Sequence, residues 1–148
     1  MTTSTTRSRN MSAVKSKNTS PELKIRKLLH SAGFRYSLHN KKLPGKPDLK
    51  LTKYNAIIFV NGCFWHKHDC PRFSWPKTRD EFWRKKITGN FERDIRNRKA
   101  LLQQGWRVGT VWECALRGKS KLEDERILAN LSEWLRSNRM GVTIRGER

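Results

Sequence analysis

Residues 61–70, with the sequence NGCFWHKHDC, bring together side chains that commonly bind metal ions. Within this segment Cys63, His68 and Cys70 follow a C-x4-H-x-C spacing, and the third cysteine, Cys114, lies far along the chain. Thiolate and imidazole ligands in one group suit tetrahedral zinc. Three cysteines cannot all pair in disulfides, and the sequence shows no secretory signal pattern. The spacing therefore predicts a structural Zn²⁺ site, in preference to free thiols packed as small apolar groups.

The spacing leaves the identity of the histidine ligand open. His66 stands three residues after Cys63 and would serve as well as His68, and Asp69 could contribute an oxygen. A zinc ion shared with Cys114 would join two segments that are distant in sequence. Such an ion contributes roughly 10 kcal/mol or more to the order of a loop that has little core of its own.

A second group of side chains offers oxygen ligands in an otherwise basic chain. Asp48 follows the Pro-Gly loop of LPGKPDLK, and Glu22 lies in the first turn of a predicted helix. A carboxylate repels a phosphodiester unless a divalent cation lies between them, and Mg²⁺ is commonly held by one or two carboxylates together with the substrate phosphate. The structural alternatives are a turn residue for Asp48 and, for Glu22, a favourable interaction with the helix dipole, which the sequence alone favours.

Two further side chains could act at the same place. Lys50 lies two residues beyond Asp48, so on a strand both would point to one face, where Lys50 could contact the same phosphate. The neutral imidazole of His66 could take a proton from an attacking water at physiological pH. The competing interpretation of Lys50 is a solvated strand lysine. The competing interpretation of His66 is a zinc ligand or a hydrogen-bond donor to phosphate.

The composition indicates a polyanion as the partner. The chain of 148 residues carries 33 Lys and Arg against 13 Asp and Glu, a formal net charge of +20. That imbalance creates a strong positive field, which favours nucleic acid. No long apolar run and no signal-peptide pattern is present, so no membrane association is expected. Six tryptophans favour base stacking over the purely charged surface of a ribosomal-type protein.

One mixed α/β domain would position these groups, with a small central sheet and helices on its faces. Residues 21–137 form the predicted domain. Residues 1–20 form a basic arm that contacts DNA and is partly disordered, and residues 138–148 form a loose basic tail. Strands are predicted at residues 34–38, 49–51, 56–60 and 106–112, of which the apolar run 56–60 is central.

Four helices are predicted from their end signals. Ser20 caps the first helix, which ends at Gly33. A capping-box pattern begins the second helix at Thr78, and Asn90 caps a third that ends at Gly105. The last helix carries its apolar residues on one face, namely Ile127, Leu128, Leu131, Trp134 and Leu135.

Several segments of the chain, taken together, resemble the very-short-patch-repair mismatch endonucleases of bacteria. They run in order from about Arg7 to Trp134 and read TRSRNM, SPELKIRKLL, LPGKPD, IIFVNGCFWHKHDC, TRDEFWRKKITGNFERD and GWRVGTVWECALRG. The resemblance implies a restriction-endonuclease-like fold and a Mg²⁺-dependent nick 5′ of the mispaired thymine at T:G mismatches, which arise from deamination of 5-methylcytosine. It also implies a cytoplasmic, nucleoid-associated monomer that acts on double-stranded DNA and is functionally linked to a cytosine-5 DNA methyltransferase.

The same resemblance assigns roles to individual residues. Asp48 corresponds to the metal-binding aspartate, and the backbone carbonyl of Val60 corresponds to a second Mg²⁺ ligand. His66 corresponds to the catalytic histidine and Glu22 to an acidic helper. The implied zinc ligands are Cys63, His68, Cys70 and Cys114, which selects His68 over His66.

One position in the catalytic group departs from the family. Its better-known members carry a histidine before the glycine of GCFWH, and this chain has Asn61 there. Asparagine cannot titrate, so it is a weaker substitute for a positive or proton-transferring group. We therefore expect an altered rate or specificity, which Lys50 could partly restore.

The aromatic residues of the loop have a predicted role in the same reaction. Phe64 and Trp65 lie between zinc ligands and would form a wedge beside the mismatch, together with Trp83. Unstacking costs a few kcal/mol and least at a mispaired step, and aromatic stacking returns roughly 1–3 kcal/mol per base. Met11 would enter from the opposite groove. Phosphate contacts are predicted for Lys67, residues 84–86 and residues 93–99.

Two other functions fit the sequence less well. A restriction-type nuclease that cuts both strands would need a dimer, for which no dedicated interface signal is present. A zinc-stabilised DNA-binding protein with little or no catalysis would result if Asn61 inactivated the site. Cleavage assays on paired and mismatched duplexes separate these functions.

Overall fold

The structure is a computed structural model that describes residues 19–147. Met11, Arg7 and most of the basic arm lie outside this range. The helices are α1 (Ser20–Ser31), α2 (Asp80–Gln103), α3 (Glu113–Leu116) and α4 (Asp124–Arg136), with a 3₁₀ turn at Thr52–Tyr54. The strands are β1 (Ser37–Leu38), β2 (Leu49–Leu51), β3 (Ala56–Asn61), β4 (Arg107–Trp112) and β5 (Gly141–Ile144).

The five strands form one mixed sheet in the order β1-β2-β3-β4-β5. The first three strands are antiparallel neighbours, whereas β4 and β5 continue the sheet parallel to β3. Val60 of β3 pairs with Val111 of β4, and Asn61 pairs with Trp112. The carboxyl ends of these two central strands therefore lie side by side, so the cysteine-containing loop after Asn61 begins next to Cys114.

Helices cover both faces of this sheet. On one face Ile25 and Leu29 of α1 pack with Leu131 and Trp134 of α4 in the larger core. On the other face Leu101 of α2 packs on β3 and β4 in a smaller core. This arrangement confirms the predicted mixed α/β architecture with a central sheet flanked by helices.

The segment predicted to form two helices is a single helix, α2, of 24 residues. The prediction was wrong because Asn90 does not cap a helix. Its side-chain amide instead donates a hydrogen bond to the carbonyl of Trp65, at 3.0 Å, from within the continuous helix. The helix begins after Arg79, whose backbone is left-handed (φ 54°), rather than at a Thr78 cap.

Two further boundaries differ from the prediction. Thr19, not Ser20, caps α1, and its hydroxyl accepts from the Glu22 N–H. The strand expected at residues 34–38 shortens to Ser37–Leu38, because Phe34 turns into the core against Tyr54, with ring centroids 5.5 Å apart.

The predicted loose tail contains β5, which pairs with β4 and extends the sheet. Its approach is fixed by Arg107, whose guanidinium donates to the carbonyl oxygens of four residues: Tyr54, Trp134, Leu135 and Arg139. The expectation of a loose segment was therefore wrong for residues 141–144. Charge alone suggested a solvated tail, but Val142 packs against the larger core and Ile144 is buried in it.

Candidate functional site

Three cysteines and one histidine meet at the carboxyl ends of β3 and β4. One ligand atom from each of Cys63, His68, Cys70 and Cys114 lies within 4.8 Å of all the others. A tetrahedral zinc with bonds of about 2.0–2.3 Å holds its ligand atoms about 3.3–3.8 Å apart, so a small contraction would close this group on an ion. The thiols are not joined in disulfides. The chemistry and spacing of the four side chains thus fit a zinc ion.

Neighbouring groups hold this cluster in place. The indole of Trp112 stacks on the His68 ring, with centroids 3.9 Å apart and planes 9° from parallel. The N–H of Cys114 donates to the Cys63 sulfur at 3.3 Å, and the N–H of Gly146 donates to the Cys114 sulfur at 3.2 Å. Both hydrogen bonds can persist when the sulfur is a metal-bound thiolate. N–H donors to such a sulfur reduce its negative charge.

Electrostatics also favours a cation within the cluster. Burial raises the pKa of the Cys63 thiol, and the neighbouring thiols of Cys114 and Cys70 raise this pKa further. Several thiolates cannot ionise together in such a place unless a metal ion neutralises them. A cation bound by the sulfur atoms would offset the cost of the negative charge on Cys63.

His66 lies outside this cluster and makes a different contact. Its Nδ1 atom is 2.5 Å from the Asp94 Oδ2 atom on α2. His66 and Asp94 line a cavity of about 140 Å³ together with Asn61 at the end of β3. An imidazole that donates Nδ1–H to a carboxylate presents Nε2 as a proton acceptor.

A second candidate cation site lies where α1 meets the start of β2. Ligand atoms of Glu22, His39 and Asp48 lie within 4.8 Å of one another. The Val60 N–H donates to Asp48 Oδ2 at 2.7 Å, which fixes the carboxylate beside β3. Glu22 is only 2% exposed and forms an ion pair with Arg26.

The surroundings of Asp48 disfavour its negative charge. Burial raises the pKa of this carboxyl from 3.8 to about 8, and the neighbouring Glu22 adds to the effect. The Val60 hydrogen bond and the Arg26 charge oppose that rise only in part. Two carboxylates at this distance, with a further nitrogen donor beside them, form a donor set that fits a divalent cation.

These groups converge on one short stretch of backbone. Val60 holds Asp48, Asn61 lines the cavity of His66, and Cys63 belongs to the cysteine cluster. The sequence alone places Asp48 and His66 in different segments, and the β2–β3 pairing brings them to the same strand end. This strand end is thus the candidate active site.

The aromatic residues predicted to form a wedge lie together and are half-buried. The ring centroid of Phe64 is 5.2 Å from that of Trp65 and 5.6 Å from that of Trp83. Trp65 and Trp83 are 5.7 Å apart. The Lys67 ammonium lies over the Phe91 ring at 5.2 Å. Each ring supports its neighbours, and each keeps part of its surface in contact with solvent.

The side chain of Lys50 contacts an aromatic ring that flanks the smaller core. Its ammonium is 5.9 Å above the Trp106 ring, on the side of the sheet that α2 covers. The described contacts of Lys50 do not include Asp48. A phosphate contact by Lys50 stays a prediction.

Sequence reasoning missed three residues of the site. Asp94 lies in a segment interpreted as a row of phosphate-binding cations, although a carboxylate in so basic a segment was itself a signal. Glu113, whose Oε1 atom accepts from the Cys63 N–H at 3.2 Å, directly precedes a predicted zinc ligand. His39 gave no sequence signal, since a loop residue reaches Glu22 only through tertiary structure.

Comparison with known proteins gives consistent results. A family model for "DNA mismatch endonuclease Vsr" matches residues 1–72. The chain is 46% identical over 130 residues to the DNA mismatch endonuclease Vsr of Escherichia coli, an alignment that covers 88% of this chain and 83% of that protein. It is 48% identical over 113 residues to the type II nicking enzyme V.XorIIP of Xanthomonas oryzae pv. oryzae, covering 76% and 83% of the two chains. It is 45% identical over 118 residues to the type II nicking enzyme V.NmeAIP of Neisseria meningitidis, covering 80% and 84%.

Proposed function

The chain belongs to the Vsr family of DNA mismatch endonucleases, and we propose that it nicks duplex DNA 5′ of the mispaired thymine at T:G mismatches. Family membership makes it a DNA endonuclease that acts in mismatch repair. The observation that carries the finer proposal is the pair of closely spaced carboxylates, Glu22 and Asp48, in a chain of net charge +20. Beside a DNA backbone, such a pair is favourable only with a divalent cation between it and the phosphate.

Asp48 and the carbonyl of Val60 would hold a magnesium ion at the end of β3, with Glu22 close by. When bound, the ion would stabilise negative charge on the phosphate and make an attacking water more acidic. His66 accepts the proton of that water at Nε2, because Asp94 engages Nδ1 and orients the ring. Asn61, at the wall of the same cavity, donates its amide N–H groups to the phosphate oxygens.

Zinc would be held by Cys63, His68, Cys70 and Cys114 and would have a structural role. All four protein positions of a tetrahedral ion are supplied, so no position is left open for a substrate. With the four ligands joined in this way, the loop that contains Phe64 and Trp65 would be held at both its start and its end. Those rings then meet the DNA as rigid groups, at little conformational cost on binding.

Selectivity for the mismatch follows from these rings. Insertion of Phe64 and Trp65, supported by Trp83, unstacks a base step. Unstacking costs less free energy at a T:G mismatch than at a Watson–Crick pair. The Lys67 ammonium and the basic face of α2 contact flanking phosphates. Met11 of the arm would insert from the opposite groove.

The wider setting follows from the same proposal. The antiparallel β1–β2–β3 meander followed by the parallel strand β4 supports a restriction-endonuclease-like fold. The enzyme acts as a monomer, since a nick on one strand needs one active site. Its substrate arises where a cytosine-5 DNA methyltransferase has acted, which places the enzyme at the bacterial nucleoid in the cytoplasm. None of the described helices is long and apolar enough to cross a bilayer.

A strand-resolved nicking assay tests the proposal. Duplexes that differ only in a T:G or a C:G pair are labelled separately on each strand and incubated with or without Mg²⁺. We expect a Mg²⁺-dependent cut only on the thymine strand of the T:G duplex, which is lost in Asp48→Asn and kept in the surface control Asp80→Asn. Double-strand cleavage of paired DNA would instead identify a restriction-type nuclease.

A specific observation favours one alternative, a zinc-stabilised DNA-binding protein without catalysis. Asn61 stands where the better-known members of the family carry a histidine, and it lines the same cavity as His66. Tight binding of the T:G duplex without any cut, at every Mg²⁺ concentration, would select this alternative. Restored cleavage in Asn61→His would then identify that position as the cause.

A further inference from the structure

We propose that the imidazole of His39 is a third side-chain ligand of the divalent cation, beside Asp48 and Glu22. This inference rests on the proposed function, because it requires a cation at the carboxylate pair. The nitrogen donor would raise the affinity of the site for Mn²⁺ relative to its affinity for Mg²⁺. A site made only of oxygen ligands would show a smaller preference for Mn²⁺. It assigns a role in the reaction to a residue that neither composition nor motif spacing identifies.

The distances support this role. His39 Nε2 is 2.6 Å from Glu22 Oε2, and one ring nitrogen of His39 lies within 4.8 Å of an Asp48 carboxylate oxygen. An octahedral ion with bonds of about 2.1 Å holds neighbouring ligand atoms about 3 Å apart. A shift of the side chains by an ångström or two would therefore place one atom from each residue on one ion.

The backbone at His39 is built to direct the ring to this place. Leu38 pairs with Leu49 in the antiparallel β1–β2 ladder, and the next hydrogen bond runs from the His39 N–H to the Asp48 carbonyl at 3.2 Å. His39 then adopts a left-handed conformation with φ 47°, which is uncommon for a residue other than glycine. An unfavourable backbone conformation of this kind persists where surrounding contacts enforce it, and it often marks a functional position.

A simple structural role for His39 would be to neutralise Glu22. Arg26 already supplies that charge, because its guanidinium forms an ion pair with the same Glu22 oxygen. Arg26 Nη2 also lies 3.2 Å from His39 Nε2, so the imidazole nitrogen that faces the carboxylates has a cationic donor beside it. The same imidazole nitrogen thus faces both the Glu22 carboxylate and the Arg26 guanidinium, at the point where the two carboxylates approach each other.

The donor chemistry leads to the expected metal preference. Magnesium takes oxygen ligands almost exclusively, whereas imidazole nitrogen is a common ligand of first-row transition ions. A mixed set of two carboxylates, one carbonyl and one imidazole accepts Mn²⁺ more readily than it accepts Mg²⁺. Removal of His39 should reduce this preference while leaving the oxygen ligands in place.

Pulsed electron paramagnetic resonance of bound Mn²⁺ provides the direct test, on the zinc-loaded full-length protein without DNA. We expect ¹⁴N modulation from a directly bound imidazole, which becomes ¹⁵N modulation when histidine is labelled with ¹⁵N. The chain has four histidines, so single variants identify the source. His39→Gln and His39→Asn should lose the modulation and bind Mn²⁺ at least roughly tenfold more weakly, whereas His66→Gln and His30→Gln should keep it.

The outcomes separate this inference from the function on which it rests. Bound Mn²⁺ without nitrogen modulation, or modulation that persists in both His39 variants, would overturn the ligand role and leave the Asp48 site standing. Mn²⁺ affinity that is unchanged in Asp48→Asn would instead overturn the cation site itself. Thermal unfolding and zinc content of each His39 variant are measured alongside. If both variants misfold, the ¹⁵N-labelled native protein still tests the ligand role, since absence of any nitrogen signal from bound Mn²⁺ refutes the proposal.

Discussion

Replacement of Asp48 by asparagine is expected to stabilise the Mg²⁺-free protein at neutral pH while abolishing its cleavage of DNA. Asparagine has nearly the same shape, and its carbonyl oxygen can still accept the Val60 N–H. It removes the negative charge that burial and Glu22 make unfavourable. Stability and activity should therefore change in opposite directions, which is the behaviour of a ligand held ready for a cation.

The magnitude follows from the pKa of Asp48. Burial raises this pKa from 3.8 to about 8. Between these values the folded protein keeps a proton that the unfolded chain releases, so stability falls as the pH rises through this window. At about 1.4 kcal/mol per pKa unit, the penalty at pH 7 is at most about 4 kcal/mol, and solvent access to the half-buried group reduces it to roughly 2–4 kcal/mol.

Thermal unfolding of zinc-loaded protein in buffer without Mg²⁺ measures this effect. For a domain of this size we expect Asp48→Asn to raise the Tm by roughly 4–16 °C at pH 7. The gain in stability should shrink by about half between pH 8 and pH 6. Added Mg²⁺ should raise the Tm of the native protein and leave that of the variant unchanged.

The control variant is Asp80→Asn, which removes an exposed charge from the first turn of α2. It should lower stability slightly, because that carboxylate interacts favourably with the helix dipole and with Arg84. If Asp48→Asn lowered the Tm at every pH as the control does, the description of Asp48 as a buried, disfavoured charge would be refuted.

Three further predictions concern the rest of the site. Cys114→Ser should reduce bound zinc from about one ion per chain to a small fraction, as measured by metal analysis of the purified protein; full zinc content would contradict the assignment of the four ligands. Asp94→Asn should lower the nicking rate roughly 10²–10⁴-fold with unchanged affinity for the T:G duplex, because His66 loses the group that orients it; a loss of affinity instead of rate would show that Asp94 acts in binding. Trp65→Ala should reduce the preference for T:G over fully paired duplex roughly 5- to 150-fold, the equivalent of about 1–3 kcal/mol of stacking. Competition binding measures this preference. The control variant Trp106→Phe, at a residue that flanks the core, should keep it.

The sequence predicted the architecture well where one signal dominated. The apolar run at 56–60 became the central strand β3, and the C-terminal helix buries the predicted face with Ile127, Leu131 and Trp134. The sequence-based prediction failed where a polar side chain could serve either as a helix cap or as a partner in a tertiary hydrogen bond. Asn90 was interpreted as a cap from its type alone. Its amide instead donates to the Trp65 carbonyl, and only the folded chain brings the loop after β3 to α2.

The candidate site shows the same limit. The cysteine spacing predicted a cluster, and its residues do meet, because both segments leave neighbouring parallel strands. The partners of these groups were not predictable, since Asp94 reaches His66 from a helix 28 residues further along the chain. His39 depends on a left-handed backbone angle, which amino-acid type does not specify for a residue other than glycine.

The pairing of β3 with β4 also has a consequence for how the enzyme becomes active during synthesis. Cys63 and Cys114 are 51 residues apart, so a nascent chain can begin to close this cluster only after residue 114 has left the ribosome. Gly146, whose N–H donates to the Cys114 sulfur, emerges later still. A chain that stops before residue 114 therefore cannot bring the cysteine-containing loop to its partner at the end of β4.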